Sequence, residues 1–315
     1  MRILVTGGAG FIGSHLAERL LRDGHQVAIA DCLDTFYSPD LKRANLAEVA
    51  RRGDFSFHES DVCDVEAAVA VVRREAPDAI VHLAARVGVR PSIEQPLLYE
   101  RVNVQGTIAM LEAARLAGVG KFILASSSSV YGSANRVPFS EADTVNLPVS
   151  PYAATKLAAE KMCIVYSQLY GINITCLRFF TVYGPRQRPD LAIRKFAGLI
   201  ESGQPVPFYG DGNTSRDYTY IDDIVAGIAA AIAYRDEPFS VFNLGNSTPV
   251  TLAAMVRTIE EALGKKAVLD RLPAQMGDMA MTYADIGRAR QCLGYSPETP
   301  FAEGVARFVR WMRGN

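Results

Sequence analysis

Thr6-Gly7-Gly8-Ala9-Gly10-Phe11-Ile12-Gly13 follows the apolar run Ile3-Leu4-Val5 and opens into a helix-forming stretch, so glycines stand where a strand turns into a helix. That placement makes a phosphate cradle. Gly8 is read as permitting the tight turn, Gly10 as letting the backbone approach a pyrophosphate, and Gly13 as letting the helix pack close to the strand. The helix N-terminus adds unpaired N–H groups for an anion. A second apolar run, Val27-Ala28-Ile29-Ala30, ends at Asp31, about 20 residues on, where an acid can accept hydrogen bonds from both hydroxyls of an adenosine ribose. A carboxylate there repels a 2′-phosphate and no Arg follows it directly, which predicts NAD rather than NADP.

The chain has 315 residues, 49% of them hydrophobic, which suffices for a large core in one α/β unit or two domains. With 33 Lys and Arg against 34 Asp and Glu the net charge is −1, leaving no basic excess for nucleic acid or a membrane surface. Small ligands are the better match. Cys32, Cys63, Cys163, Cys176 and Cys292 form no C-x-x-C pair, as expected of reduced thiols in the cytoplasm. His15, His25, His58 and His82 show no ligand spacing, so no metal site is expected. Arg2 runs straight into the glycine turn, so no signal peptide is expected, and the run from Ile224 to Ala233 is too short to span a bilayer.

Short apolar runs at 2–6, 27–31, 55–58, 79–83, 121–126 and 173–178 alternate with amphipathic stretches near 13–23, 64–75, 99–118 and 152–170. The alternation predicts an α/β fold of the Rossmann type, a doubly wound parallel sheet with helices on both faces. After about residue 179, Gly and Pro become dense and the regular beat gives way to loops, a return element near 220–234 and a C-terminal helix ending near Trp311. We read 1–178, with a return element near 220–244, as the dinucleotide-binding domain. Residues 179–219 and 245–315 read as a smaller, interleaved lobe that binds the substrate.

Chemistry is expected at the carboxyl ends of the parallel strands. Phe122-Ile123-Leu124-Ala125 runs into Ser126-Ser127-Ser128-Ser129, a set of hydroxyls at a strand end. Tyr152 and Lys156, spaced i, i+4, share one helix face, where an ammonium can lie close to a phenol and lower its pKa toward that of a general base. Of the 13 tyrosines, only Tyr152 has Lys at i+4.

In this order and spacing the glycine turn, Asp31, Asp61-Val62, Leu83-Ala84-Ala85, Asn103-Val104-Gln105-Gly106-Thr107, the serines and Tyr152/Lys156 resemble the extended short-chain dehydrogenase/reductase family of NAD-dependent nucleotide-sugar epimerases and dehydratases. The resemblance covers nearly the whole length. It implies that Gly7, Gly10, Phe11, Ile12, Gly13, Asp31, Lys42, Asp61, Val62, Leu83, Ala84, Ala85, Asn103, Tyr152 and Lys156 hold NAD. Tyr152, Lys156 and Ser127 are the implied catalytic residues, Ser127 also binding the sugar hydroxyl that is oxidised.

Three further segments resemble the branch of the family that acts at C4 of UDP-glucuronate: Asp34-Thr35-Phe36-Tyr37-Ser38-Pro39 with Leu41-Lys42-Arg43-Ala44, Arg178 through Asp190, and Gly210-Asp211-Gly212 with Thr214-Ser215-Arg216-Asp217-Tyr218. The resemblance implies epimerisation to UDP-galacturonate through a transient 4-keto sugar, in a homodimer formed through the helices near 99–118 and 152–170. Gln275 and Asp278 then hold the UDP ribose and Arg216 the diphosphate. Thr181 and Arg188, with Ser128 or Ser129, are expected to recognise the C6 carboxylate and hold it in the plane of the C4 ketone. Carbon dioxide leaves only when the C5–C6 bond aligns with the carbonyl π system, so fixation prevents decarboxylation. The alternatives are a 4-epimerase of UDP-glucose or UDP-N-acetylglucosamine, and a decarboxylase or 4,6-dehydratase of the same family. The last two carry Glu or Asp-Glu just before Val-Tyr-Gly, where this chain has Ser128 and Ser129. An NAD-sensing protein without activity is a further alternative, though such proteins lose the Tyr or the Lys.

Overall fold

The structure, a computed structural model, describes residues 1–132, 136–273 and 279–314. Strands β1 (Arg2–Thr6), β2 (Gln26–Asp31), β3 (Phe55–Glu59), β4 (Ala79–His82), β5 (Lys121–Ser127) and β6 (Asn173–Phe179) form most of the main sheet. Four short strands follow or interleave, β7 (Thr181–Tyr183), β8 (Val206–Tyr209), β9 (Ser215–Tyr220) and β11 (Pro249–Thr251), together with β10 (Phe239–Leu244) and β12 (Leu269–Leu272). The main sheet has seven strands in the order β10-β6-β5-β4-β1-β2-β3, and its pairings are parallel. The chain winds outward from β1 to β3 and then returns to β4 on the other side of β1. That reversal opens a crevice beyond the carboxyl ends of β1 and β4.

Ile3, Leu4 and Val5 are fully buried because helices cover both faces of the sheet, which is why a parallel strand reads as an unbroken apolar run. Alternate residues serve opposite faces. Ile3 and Val5 pack with Leu16 and Leu20 of helix α1 (Phe11–Arg22) and with Ile224 and Ile228 further along the chain, whereas Leu4 packs with Val72, Met110 and Ala114. Each such side chain contributes about 1.5–3 kcal/mol by leaving water.

The remaining helices are α2 (Pro39–Ala50), α3 (Val65–Glu75), α4 (Val89–Glu94), α5 (Pro96–Glu100), α6 (Gly106–Ala117), α7 (Pro151–Tyr170), α8 (Ala192–Glu201), α9 (Ile221–Ala233), α10 (Leu252–Leu263), α11 (Gly287–Leu293) and α12 (Phe301–Met312). The stretch near 99–118 departs from expectation. It is α5 and α6 joined by a π-helical turn at Arg101–Gln105, and such turns recur at functional sites.

Past β6 the chain builds a three-stranded sheet, β11-β9-β7, and the pair β12-β8. Buried Asp217 on β9 gathers this region: its carboxylate accepts from the backbone N–H groups of Asn246 (2.7 Å), Ser247 (3.0 Å) and Ala284 (3.0 Å). Charge-assisted bonds of this kind are about twice as strong as neutral ones. β10 returns to the main sheet beside β6, so the two regions interleave in sequence. Among the described residues no helix is long and apolar enough to cross a membrane.

Candidate active site

A cavity of about 680 Å³ opens at the carboxyl ends of the strands. Gly7, Gly10, Phe11, Ile12, Gly13, Asp31, Lys42, Asp61, Val62, Leu83, Ala84 and Ala85 all line it. The glycine roles differ in detail from those expected. Gly7, not Gly8, takes the left-handed turn, with φ +70°, and a Cβ there would lie 2.7 Å from Ala84 N. Gly8 is needed for packing, since its Cβ would press on Ile29 Cγ2 at 2.6 Å. A Cβ on Gly13 would overlap Gly7 O, so the helix can approach the strand only without a side chain. Gly10 caps α1 without any side-chain bond, leaving the first N–H groups of the helix for an anion. The cradle therefore fits a dinucleotide pyrophosphate.

Asp31 ends β2 inside the cavity and is already well braced. Its carboxylate accepts from Ala9 N at 3.2 Å and Leu33 N at 2.9 Å and pairs with Lys42 Nζ at 3.4 Å, which orients the group that would face a ribose. Asn103, expected beside NAD, is placed by the structure behind the loop that follows β4. It does not line the cavity; its side-chain oxygen accepts from Arg86 N at 2.8 Å while its amide donates to Arg86 O and Thr155 Oγ1, each at 3.0 Å. It braces the loop after β4 against α7. Buried His82 continues the brace, bonded to Thr6 Oγ1 at 2.7 Å and Thr107 Oγ1 at 3.3 Å. Burial pulls its pKa down to about 3, so the ring is neutral.

At the reacting end, Ser150 caps α7 by accepting from Ala153 N, and Pro151 begins the helix, placing Tyr152 in its first turn. Tyr152 is 9% exposed, packs edge-on against Tyr99, and has the Ser127 hydroxyl beside its own. Ser127 ends β5 and caps the short helical turn of Ser128 and Ser129 by accepting from Ser129 N at 3.1 Å. Lys156 Nζ donates to Ala125 O at 2.8 Å, and burial raises the Tyr152 pKa, opposed by Ser127 and by the Arg188 cation. Burial also pulls Lys156 down to about 8, opposed by Glu160.

The far wall carries Ser128, Ser129, Thr181 and Arg188. Thr181 begins β7 rather than ending a strand. Arg188 holds Asp190 in a two-bond fork, Nε to Oδ1 at 3.0 Å and Nη2 to Oδ2 at 2.7 Å. The Phe36 ring centre lies 5.3 Å from the Arg188 guanidinium and 5.2 Å from that of Arg86, and Arg86 pairs with Asp34 at 2.7 Å. These five side chains all line the cavity, yet only Arg188 among them was singled out in the chain. Phe36, Asp34 and Asp190 belong to the segments that resemble the family but had no assigned role, and nothing in local spacing marks Arg86. Arg216 on β9 is outside the described lining and donates to Ser215 O and Met279 O. Gln275 and Asp278 lie outside the described residues.

A family model described as GDP-mannose 4,6 dehydratase matches residues 4–308. A probable UDP-glucuronate 4-epimerase of Rhizobium meliloti is 40% identical over 333 aligned residues, covering 100% of this chain and 98% of its own. The crystal structure of a UDP-glucuronic acid 4-epimerase from Bacillus cereus, in complex with UDP-glucuronic acid and NAD, superposes with a TM-score of 0.92 at 35% identity, over 100% of this chain and 99% of that one. A UDP-glucose 4-epimerase of Thermotoga maritima, solved with UDP-glucose, reaches the same TM-score of 0.92 at 32% identity, also over 100% and 99%. Fold, cradle and whole-length likeness agree, and the chain belongs to the extended short-chain dehydrogenase/reductase family of nucleotide-sugar epimerases and dehydratases.

Proposed function

We propose that this protein is an NAD-dependent enzyme that epimerises C4 of UDP-glucuronate, giving UDP-galacturonate through a 4-keto intermediate. The observation that carries the reading is the meeting, in one cavity, of the glycine-built anion cradle with Ser127, Tyr152 and Lys156. NAD, when bound, supplies reversible two-electron oxidation and reduction at C4. Tyr152 takes the proton of the C4 hydroxyl and returns it after the sugar has turned over, while Ser127 holds that oxygen in place. Lys156, pulled down by burial to about 8, stays mostly an ammonium at neutral pH and so offers a positive charge beside the proton transfer. The net redox change is zero, so the cofactor need not leave between turnovers.

The uronate assignment is supported by Arg188, whose fork already grips a carboxylate in the way a sugar C6 carboxylate would require. In this reading Arg188, Thr181 and Ser128 or Ser129 keep the carboxylate in the plane of the C4 ketone. A decarboxylase or dehydratase is disfavoured because the cavity has serines, not carboxylates, just before Val130. UDP-glucose is the second reading, favoured by the equal superposition of the Thermotoga maritima enzyme.

Residues 179–219 and 245–315 form the nucleotide-sugar lobe in this proposal, with Arg216, Gln275 and Asp278 on the UDP moiety, and 1–178 with 220–244 the NAD domain. Exposed Ile93, Leu97, Leu116, Val165 and Leu169, on α4 to α7, support a homodimer through those helices. The cytoplasm is the proposed site of action. Incubation of the protein with UDP-glucuronate, UDP-glucose and UDP-N-acetylglucosamine, with products identified by NMR and mass spectrometry, tests the whole reading. UDP-galacturonate is the expected product; turnover of neutral sugars alone, or release of carbon dioxide as the main outcome, overturns it.

A further inference from the structure

Tyr152, Lys156 and Glu160 stand at i, i+4 and i+8 of α7 and so share one helix face. Each meets one of the last three residues of β5. Ser127 lies beside the Tyr152 phenol, Ala125 O accepts from Lys156 Nζ at 2.8 Å, and Ser126 Oγ donates to Glu160 Oε1 at 2.5 Å. Arg178, the residue opposite Ser126 in the β5–β6 pairing, completes the third contact: its Nε donates to Glu160 Oε1 at 3.0 Å and its Nη2 to Oε2 at 2.8 Å. The same guanidinium lies 4.8 Å from the centre of the Tyr131 ring, and Tyr131 donates to Asn243 on β10. Ser126, Glu160 and Arg178 are 3%, 2% and 4% exposed.

A buried ion pair is a poor device for stability alone, because an apolar pair of similar volume commonly does as well or better. This one sits under the reacting groups. Glu160 does not line the cavity, so any effect it has on chemistry passes through the residues it holds. We propose that Glu160 is a positioning residue for the proton-transfer step: by gripping Ser126 and Arg178 it sets the register of α7 on β5, and hence where Ser127, Tyr152 and Lys156 meet. The proposal rests on the reading of Tyr152 and Lys156 as the acid–base pair. Glu160 also favours the ammonium form of Lys156 against burial. The other groups facing Lys156 supply no competing negative charge: Tyr152 on its own helix is a neutral phenol, His82 on β4 is neutral, and Arg178 on β6 is engaged by Glu160.

Glu160→Gln tests it. Turnover is expected to fall about tenfold or more, as for other groups that orient reacting side chains, with KM and bound NAD unchanged and the alkaline limb of the pH–rate profile moved to lower pH. That variant strands the Arg178 cation, so Glu160→Gln/Arg178→Met, which removes both charges, is measured beside it. The double variant is expected to recover the melting temperature but not the rate or the pH profile. A milder variant, Ser126→Ala, keeps the ion pair and cuts only the contact to β5; it is expected to shift the same limb less far. Wild-type kcat and pH profile in the double variant, or in Ser126→Ala should neither Glu160 variant fold, overturns the proposal. Failure of the underlying reading looks different: Tyr152→Phe would then turn over like wild type.

Discussion

The two ends of the cavity are made of different material. Around the phosphate cradle the surface is backbone: Gly7 in a left-handed turn, Gly13 against Gly7 O, and the start of α1, which has no side-chain cap. At the sugar end it is side chain: Ser127 from β5, Thr181 from β7, and Arg188 from the loop beyond. A backbone surface cannot be edited without moving the chain, so the cradle fixes an anion site. A side-chain surface changes with one substitution, so the other end can be retuned for a new sugar while the redox machinery stays.

The contrast predicts separable losses. The largest is expected from Tyr152→Phe, which should lower turnover by about a thousandfold yet leave NAD bound, because the ring still fills its place. Single-turnover kinetics and the absorbance of released cofactor check both halves; comparable turnover would remove Tyr152 from the mechanism. Gly13→Ala should do the reverse of a clean active-site change, destabilising the fold by about 2–3 kcal/mol through overpacking and lowering NAD content together with activity. A variant with wild-type melting temperature and full NAD occupancy would break the idea that this end is dictated by backbone contact.

Third, Arg188→Ala should reduce the preference for UDP-glucuronate over UDP-glucose by about 10- to 100-fold, the loss typical of a charge-paired carboxylate, and Thr181→Val should leak a 4-ketopentose. Unchanged preference and product purity would leave the sugar end without its carboxylate site. The smallest effect belongs to the scaffold. Fully buried Lys121 donates to Asn173 Oδ1, Thr175 Oγ1 and Tyr234 O, and burial pulls its pKa from 10.5 down to about 7. The depressed value means that the folded state is penalised most below pH 7 and that this penalty is relieved as pH rises toward 10.5. Lys121→Met should therefore flatten the gain in melting temperature between those limits, and a slope equal to that of wild type would exclude Lys121 as its source.

The same contrast decides what could be read from the chain. Strands with both faces covered announce themselves as apolar runs, and β1, β2, β5 and β6 lie within a residue of where Ile3-Leu4-Val5 and its counterparts put them. The Tyr152–Lys156 spacing is local and is kept by one helix. The use of Lys156 was harder to foresee, because its partner, Ala125 O, is brought by a different element. Asn103 carried a motif but no signal that its amide would be spent on Arg86 and Thr155, which are distant in sequence. The contacts of Phe36 with Arg86 and Arg188 draw on three separate segments, and α2, with few buried residues, has too weak a stripe to stand out.

The Asp190 fork on Arg188 changes what substrate entry amounts to. If a uronate takes the place described for it, the guanidinium does not gain a partner; it trades one carboxylate for another, and Asp190 is handed to the solvent. The number of ion pairs is then the same before and after. Most of the desolvation of Arg188 has been met during folding, since its side chain is 15% exposed while Asp190 is 48% exposed. Such an exchange gives a shallow dependence of uronate affinity on ionic strength, because added salt weakens the departing pair as well as the arriving one. Discrimination between sugars would then be governed by competition within the protein rather than by the bare attraction of opposite charges.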